Sequence, residues 1–333
     1  MQILVVGGAG YIGSHTAHAL RRHGFEVLIY DNLSTGHLRL AKGFELIQGE
    51  ISDIGRLARA IYRVDAVLHF AAHAYIGESV TDPRKYFRNN VESALTLLNT
   101  CLSCGVKKFV FSSSCAVYGV PAALPITEET ACQPVNPYGI TKFFFEQALQ
   151  SYNSAYGLRH VSLRYFNAAG ADAGGEIGEL HTPETHLIPL AFETALGHRD
   201  ALPIYGNDYP TADGTCVRDY VHVSDLAEAH VLALRHLLLG GESLALNLGT
   251  GSGHSVLDVV RTVESVTGKV VATHSEPRRE GDPPALVANP SLAARELGWV
   301  AKHSLEDMVS SAWAWAQSQK QGGLRLRDSE IAA

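Results

Sequence analysis

The chain has few cysteines, no long basic run and no long apolar run, and each absence excludes a class of protein. Five cysteines in 333 residues are too sparse for the disulfide framework of a small secreted domain, so we expect reduced thiols and a cytoplasmic location. Lys and Arg number 27 against 34 Asp and Glu, for a net charge of -7, which disfavours a nucleic-acid partner. No segment reaches the roughly 18 uninterrupted apolar residues of a membrane span. The N-terminus also lacks the basic and apolar regions of a signal peptide.

Disorder is excluded as well, because apolar residues make up 46% of the chain and charged residues 18%. The N-terminal half alternates short β-branched runs with longer amphipathic stretches, which predicts a parallel sheet covered by helices on both faces. The predicted strands cover 3–6, 27–30, 45–47, 66–70, 108–112 and 160–164. The predicted helices cover 11–23, 54–61, 83–104, 138–156, 187–196, 224–238, 256–267 and 305–317.

These elements define an α/β fold, a Rossmann-like doubly wound parallel sheet with a smaller C-terminal α/β lobe. We expect a dinucleotide-binding domain over 1–166. A mainly substrate-binding domain follows over 167–320, with some interleaving of the two. The tail over 321–333 is expected to be flexible.

A glycine-rich segment follows the first predicted strand and opens the first predicted helix. Gly7, Gly10 and Gly13 fit the pattern G-x-x-G-x-x-G, in which glycine permits a tight turn and close approach of the backbone to a pyrophosphate. The helix N-terminus then presents free N–H groups to the phosphates. Asp31 stands at the end of the second strand, where a carboxylate accepts ribose hydroxyls and repels a 2′-phosphate. The pattern predicts a site for NAD in preference to NADP.

A candidate catalytic set combines Tyr138 and Lys142, which share one face of a predicted helix, with Ser114 at the end of a strand. A phenol has a pKa of about 10. To act as a base near pH 7, the phenol needs its pKa lowered to about 7, which corresponds to about 4 kcal/mol. One cation about 5 Å away, at an effective dielectric constant of 20, supplies roughly 3 kcal/mol. We therefore expect Lys142 and the nicotinamide ring to activate Tyr138 as the base, while Ser114 holds the substrate oxygen.

These motifs resemble the extended short-chain dehydrogenase/reductase superfamily, and within it the sugar-nucleotide 4-epimerases. Further blocks that carry the resemblance along nearly the whole chain are Asp31-Asn32-Leu33-Ser34, His69-Phe70-Ala71, Arg164-Tyr165-Phe166-Asn167, Val217-Arg218-Asp219-Tyr220 and Arg278-Arg279-Glu280-Gly281-Asp282. The resemblance implies reversible interconversion of UDP-galactose and UDP-glucose: transient oxidation at carbon 4, hydride transfer to tightly bound NAD, rotation of the 4-keto sugar and hydride return. It also implies a homodimer through the helices over 83–104 and 138–156.

The resemblance further implies residue roles. Those implied for the cofactor are Gly7, Gly10, Tyr11, Ile12, Gly13, Asp31, Asn32, Glu50, Ile51, Phe70, Ala71, Asn89, Ser114, Tyr138, Lys142 and Phe166. Those implied for the UDP-sugar are Ser114, Tyr138, Asn167, Leu187, Tyr205, Arg218, Arg279, Asp282 and Leu286. The arginines suit this role because guanidinium forks match a diphosphate. Leu286 stands where a large aromatic residue tends to exclude N-acetylated sugars and a small residue tends to admit them.

Several alternatives stay open at this stage. A 4,6-dehydratase typically has an Asp-Glu pair after the hydroxyl residue, whereas Cys115 and Ala116 follow Ser114 here, so dehydration is disfavoured. An epimerase for UDP-linked N-acetylhexosamines, pentoses or uronates is a second possibility. A non-catalytic NAD-sensing protein on the same fold is a third, although such a protein has no need of Tyr138 and Lys142.

We expect no metal site. Cys101 and Cys104 have the spacing of half a zinc site, but no second pair accompanies them. His69 and His73 are four residues apart, but they span a strand end and a loop, so the spacing does not place them on one helix face.

Overall fold

Parallel strands and amphipathic helices alternate along the computed structural model, which describes residues 1–279 and 281–321. The strands are β1 Gln2–Val6, β2 Glu26–Asp31, β3 Glu45–Gln48, β4 Ala66–His69, β5 Lys108–Ser114, β6 Arg159–Tyr165, β7 Asn167–Ala169, β8 Leu202–Tyr205, β9 Val217–His222, β10 Leu244–Leu248, β11 Gly253–Ser255, β12 Thr273–Glu276 and β13 Ala285–Leu286. The helices are α1 Tyr11–Arg22, α2 Ile54–Ile61, α3 Ile76–Thr81, α4 Pro83–Phe87, α5 Ala94–Ser103, α6 Pro137–Tyr156, α7 Leu187–Ala195, α8 Val223–Leu238, α9 Val256–Thr267, α10 Ser291–Leu297 and α11 Leu305–Gln321.

The predicted α/β class is confirmed. Each predicted strand forms, and each begins and ends within two residues of its expected limits. The predicted tail over 321–333 lies outside the described residues except for its first position. None of the helices in the described part of the chain is long and apolar enough to cross a bilayer.

The central sheet has seven strands in the order β10-β6-β5-β4-β1-β2-β3, and every neighbouring pair is parallel. The chain order reverses direction between β1 and β4, which is the switch point where open α/β sheets bind ligands. The first strand pairs with both of these neighbours, so that Val6 lies opposite Tyr30 on one side and His69 on the other.

Alternation along the strands assigns side chains to two separate cores. On one face Ile3 and Val5 pack with residues of α1 and α8, and Trp299 closes the cluster. On the other face Leu4 and Val6 pack with residues of α2, α5 and α6. Burial of the strands on both faces explains why they read as continuous apolar runs.

The second lobe is built mainly from residues after Tyr165. A small sheet joins β7, β11 and β13 to β9, and β8 pairs with β12. Its core lies among α7, α9 and α11, with Phe192, Val263 and Met308 among the buried residues. The chain returns to the central sheet between these parts, since β10 pairs with β6 and α8 packs on the sheet.

The helix predicted over 83–104 is interrupted in the structure. A wider π-type turn over Arg88–Ser93 separates α4 from α5, and the Ser93 hydroxyl donates to the Arg88 carbonyl five residues earlier. The turn lets the buried Asn90 side chain accept from the His73 N–H at 2.9 Å and donate to the Thr141 hydroxyl at 3.2 Å. Apolar periodicity did not predict this turn, because a single π-type turn here depends on the tertiary contacts of Asn90.

Candidate active site

The carboxyl ends of the parallel strands bring most of the predicted site residues to one edge of the sheet. β1 leads into Gly7, β2 ends at Asp31, and β4 leads into Phe70. β5 ends at Ser114, which lies opposite Tyr165 of β6. This edge is also the one at which doubly wound sheets bind nucleotides.

The glycine-rich turn requires glycine at two positions for its own packing. Gly7 has a φ of +82°, and a Cβ there would lie 2.4 Å from the Ala71 backbone nitrogen. A Cβ at Gly13 would lie 2.2 Å from the Gly7 carbonyl oxygen. Gly10 differs, because among the described residues only the Gly7 oxygen, at 3.4 Å, comes within 4 Å of a Cβ built there. The space in front of Gly10 is therefore open for a ligand.

The N-terminus of α1 has the features of an anion site. Its N-cap residue, Gly10, supplies no side-chain hydrogen bond, and its first turn contains no acidic residue. The N–H groups and the positive end of the helix dipole therefore face the open space before Gly10. The turn and the helix end together fit a dinucleotide pyrophosphate.

Asp31 is held in place by two backbone N–H groups. Its Oδ2 accepts from Ala9 at 2.9 Å and its Oδ1 accepts from Leu33 at 2.8 Å. Burial raises the pKa of this carboxyl, while the two hydrogen bonds oppose the rise. Each oxygen keeps a lone pair for a further donor, which suits the two hydroxyls of a ribose.

The neighbouring predicted cofactor residues occupy the same edge. The Asn32 amide donates to both carboxylate oxygens of Glu50 at 3.2 Å, while Ile51 is buried in the core beneath them. The Glu50 carboxylate is thus engaged with Asn32. Asn89 lies in the π-type turn and donates to Asn90 at 2.9 Å.

Ser114, Tyr138 and Lys142 come together on α6 and the end of β5. Asn136 caps α6 by accepting from the Gly139 N–H at 2.8 Å, and Pro137 occupies its first turn. The Lys142 ammonium donates to the Ser112 carbonyl at 2.7 Å and lies 5.7 Å from the centre of the Tyr138 ring. All three predicted catalytic side chains are almost completely buried.

Burial dominates the electrostatics of this pair. It raises the pKa of Tyr138 to about 12, against the opposing effect of a hydrogen bond with Ser114. It lowers the pKa of Lys142 to about 7, although the Glu146 carboxylate favours the charged amine. Burial therefore opposes the expected depression of the phenol pKa by a cationic Lys142, because both groups lose solvation. In the protein alone, the neutral phenol is the resting form.

A buried ion pair that was not predicted from the sequence lies on the same helix as Lys142, and its carboxylate favours the protonated amine. Glu146, one helical turn after Lys142, accepts from Arg164 Nη2 at 2.6 Å. Arg164 also donates to the Tyr118 hydroxyl at 2.9 Å, and that hydroxyl donates to Asn247 at 2.7 Å. The network joins α6 to strands β6 and β10. The spacing of Glu146 from Lys142 is the only sequence signal of this role.

The second lobe brings Arg218 and Asp282 beside the end of β5. Arg218 Nη2 lies 3.2 Å from Asp282 Oδ1, and its charge acts on the thiol of Cys115, the residue after Ser114. Leu286 pairs with Arg218 in the small sheet. It packs against Phe166, Cys115 and their neighbours in one apolar cluster.

The remaining predicted substrate residues belong to other parts of the second lobe. The Arg279 guanidinium stacks over the Tyr205 ring at 3.8 Å from its centre. Asn167 begins β7, opposite Tyr220. Leu187 begins α7 and packs on the core of the second lobe. The Arg279–Tyr205 stack is a more open contact than the Arg218–Asp282 pair, since Arg279 is exposed.

A glycine-rich turn at the switch point, a buried Tyr-x-x-x-Lys helix and a serine at the end of β5 define an extended short-chain dehydrogenase/reductase. Residues 3–249 match the model of the NAD dependent epimerase/dehydratase family. The chain belongs to this family, and the expected superfamily and NAD dependence are confirmed.

The relatives of the chain are similar over almost their whole length. It is 51% identical to a UDP-glucose 4-epimerase of Rhizobium meliloti (strain 1021), with 96% of this chain and 98% of the relative covered. The crystal structure of UDP-glucose 4-epimerase from Brucella ovis in complex with NAD is 52% identical and superposes with a TM-score of 0.92, over 94% of this chain and 98% of that one. The enzyme from Bifidobacterium longum in complex with NAD+ and UDP is 39% identical, with a TM-score of 0.92 and coverages of 97% and 100%.

The two glycines of the turn are expected to respond differently to alanine. Gly13→Ala places a Cβ 2.2 Å from a backbone oxygen, and we expect it to lower the free energy of unfolding by about 2 kcal/mol or more. Gly10→Ala fills open space at an extended N-cap. It is expected to cost less than about 1 kcal/mol yet to weaken NAD binding at least tenfold. Urea unfolding and NAD titration measure the two effects, and equal losses of stability would contradict the assignment.

The low pKa of Lys142 predicts a pH-dependent stability. Between pH 7 and 10 the unfolded chain holds a proton that the folded chain lacks, so this lysine makes folding more favourable as the pH rises. Lys142→Met removes that dependence. At pH 7 the free energy of unfolding of the Lys142→Met variant should exceed that of the wild type by a few kcal/mol. This difference should shrink toward pH 10. Urea unfolding at several pH values tests this, with the exposed Lys269→Met as control; parallel curves for Lys142→Met and the wild type would refute it.

Proposed function

We propose that the chain is a UDP-glucose 4-epimerase, which interconverts UDP-galactose and UDP-glucose with NAD as its resident cofactor. The observation that carries the proposal is the meeting of Ser114, Tyr138 and Lys142 at the strand edge, with Arg218 paired to Leu286, which packs against Cys115. A diphosphate-matching arginine next to a proton-transfer group suits a nucleotide sugar. The close relatives that bear this name support the same assignment.

In the proposed mechanism Tyr138 takes the proton of the sugar 4-hydroxyl and returns it after inversion. Bound NAD supplies the hydride acceptor and donor at carbon 4. Ser114 fixes the oxygen of the 4-hydroxyl beside the phenol. Lys142, held by the Ser112 carbonyl, stabilises the phenolate when protonated. Tyr138 can accept that proton only as the phenolate, so its own proton must first leave; protonated Lys142 and the positive nicotinamide ring of bound NAD⁺ would favour that form.

The proposed cofactor residues lie along the carboxyl edge of the central sheet. The N-terminus of α1 and Gly10 are assigned to the pyrophosphate, and Asp31 is assigned to the ribose. The others are Gly7, Tyr11, Ile12, Gly13, Asn32, Glu50, Ile51, Phe70, Ala71, Asn89 and Phe166, together with the catalytic set.

The proposed substrate residues come chiefly from the second lobe. Arg218 and Arg279 bind the diphosphate, and Asp282 orients Arg218 through its carboxylate. Asn167, Leu187, Tyr205 and Leu286 complete the assignment. We therefore assign NAD binding mainly to residues 1–166 and UDP-sugar binding mainly to 167–320, with β10 and α8 returning to the central sheet.

We also propose a homodimer through α4, α5 and α6. Phe87 on α4, together with Ile140 and Phe144 on α6, is exposed although apolar, which supports a contact with a second copy. A cytoplasmic location is proposed as well, since Cys101, Cys115 and Cys216 are buried as free thiols.

The test is an NMR time course with UDP-galactose, first without added NAD. We expect UDP-glucose to form, and Tyr138→Phe to lower the rate by at least about a thousandfold, because it removes the proton-transfer group. Tyr152→Phe on the same helix, far along α6 from the site, is the matched control and should remain active. NAD content should be unchanged in both variants. Absence of product after NAD is supplied would overturn the assignment, as would full activity of Tyr138→Phe.

Leu286 is expected to set the size of the sugar that is accepted. It is half-buried beside Phe166 and Cys115, so a larger ring there narrows the space and a smaller side chain widens it. We expect Leu286→Tyr to reduce turnover of UDP-N-acetylgalactosamine relative to UDP-galactose at least tenfold, and Leu286→Ala to raise that ratio. Ratios of kcat/KM for the two substrates measure this, and an unchanged ratio in both variants would disprove it.

A further inference from the structure

The loop between β7 and α7 carries two glutamates and two histidines that converge on one point. Glu179, His181, Glu184 and His186 each offer a nitrogen or oxygen, and these four atoms lie within 4.8 Å of one another. The loop is separate from the catalytic helix α6. None of the motifs considered in the sequence included these residues as a set.

The two imidazoles approach the same carboxylate from different directions. Nδ1 of His181 lies 3.1 Å from Glu179 Oε1, and Nδ1 of His186 also contacts that oxygen. The rings are nearly perpendicular, with an interplanar angle of 83° and centres 5.0 Å apart. Both ring nitrogens therefore lie within reach of one shared cation.

The two glutamates of this cluster are largely buried, so their negative charges need positive partners. The side chains of Glu179 and Glu184 are only 9% and 13% exposed, and carboxylates withdrawn from water need compensating charge. Nδ1 of His181 is itself buried and lacks hydrogen-bond geometry toward any described partner, despite its 3.1 Å approach to Glu179.

We propose that Glu179, His181, Glu184 and His186 form a zinc-binding site. A divalent cation neutralises both carboxylates and leaves both imidazoles neutral. Two nitrogen and two oxygen donors suit Zn²⁺, whereas Mg²⁺ and Ca²⁺ prefer oxygen alone. With all four side chains as ligands, no position of a tetrahedral shell would stay open, so the ion would be structural.

The surroundings indicate what the ion would hold together. The indole of Trp315 donates to the Glu179 carbonyl at 3.0 Å, and the Tyr75 hydroxyl donates to the Pro183 carbonyl at 3.2 Å. His186 occupies the N-cap position of α7. The zinc ion therefore ties the start of α7 to a loop already anchored on α11 and on the segment before α3.

The experiment uses the full, untagged chain, stripped with a chelator and then titrated with Zn²⁺ against a chromophoric competitor. We expect about one zinc ion per chain, no comparable binding of Mg²⁺, and a higher Tm in the zinc-loaded protein. Substitution of Co²⁺ should give the visible absorption of a tetrahedral ion. Metal content by atomic spectrometry provides the stoichiometry independently.

Variants separate this site from adventitious binding. His181→Gln and Glu179→Gln should each weaken zinc binding by at least about tenfold. His274→Gln is the matched control, because His274 also pairs with a glutamate, Glu276 at 3.2 Å, but lies on β12 outside the cluster. Failure of the wild-type chain to retain zinc at equimolar metal would overturn the proposal. Equal zinc affinity in His181→Gln and His274→Gln would do the same, leaving the cluster as an ion-pair network.

Discussion

Parallel pairing on both sides of β1 is the constraint from which the site follows. Because Val6 lies opposite Tyr30 and His69, the segments after β1, β2 and β4 emerge at one edge of the sheet. The glycine turn, Asp31 and Phe70 meet there, and the Ala9 N–H bond to Asp31 and the close packing of Gly7 against Ala71 hold them together. A shift of one residue in either pairing would move alternate side chains to the wrong face and separate these groups.

The catalytic pair shows how one burial event has opposite effects on two groups. Withdrawal from water raises the pKa of Tyr138 and lowers that of Lys142. The neutral form of each group is therefore more favoured than it is in solution. The Glu146–Arg164 pair behind them is buried together and internally balanced. It positions α6 against β6 and favours the protonated amine. In the protein alone, burial therefore favours the neutral form of both groups, while Glu146 opposes this effect for Lys142.

Much of the fold and part of the site could be predicted from local patterns. The glycine spacing, the acid at the end of β2 and the Tyr-x-x-x-Lys face are encoded within short stretches, and the structure places them together. The break at Arg88–Ser93 could not be predicted, because it depends on Asn90 reaching His73 and Thr141. The return of β10 to the sheet likewise depends on pairing with a strand far away in sequence.

The sequence by itself determined the class of the sheet, its helices and the residue types that meet a dinucleotide, because each of these reflects local spacing and strand order. Only the tertiary structure decided the ionisation of Tyr138 and Lys142, the Glu146–Arg164 support and the convergence of Glu179 with His181 and His186. The physical reason is that solvation and distance between side chains are properties of packing. A sequence specifies which ionisable groups are present. Their charges and partners depend on how far folding removes each group from water and which side chains then surround it.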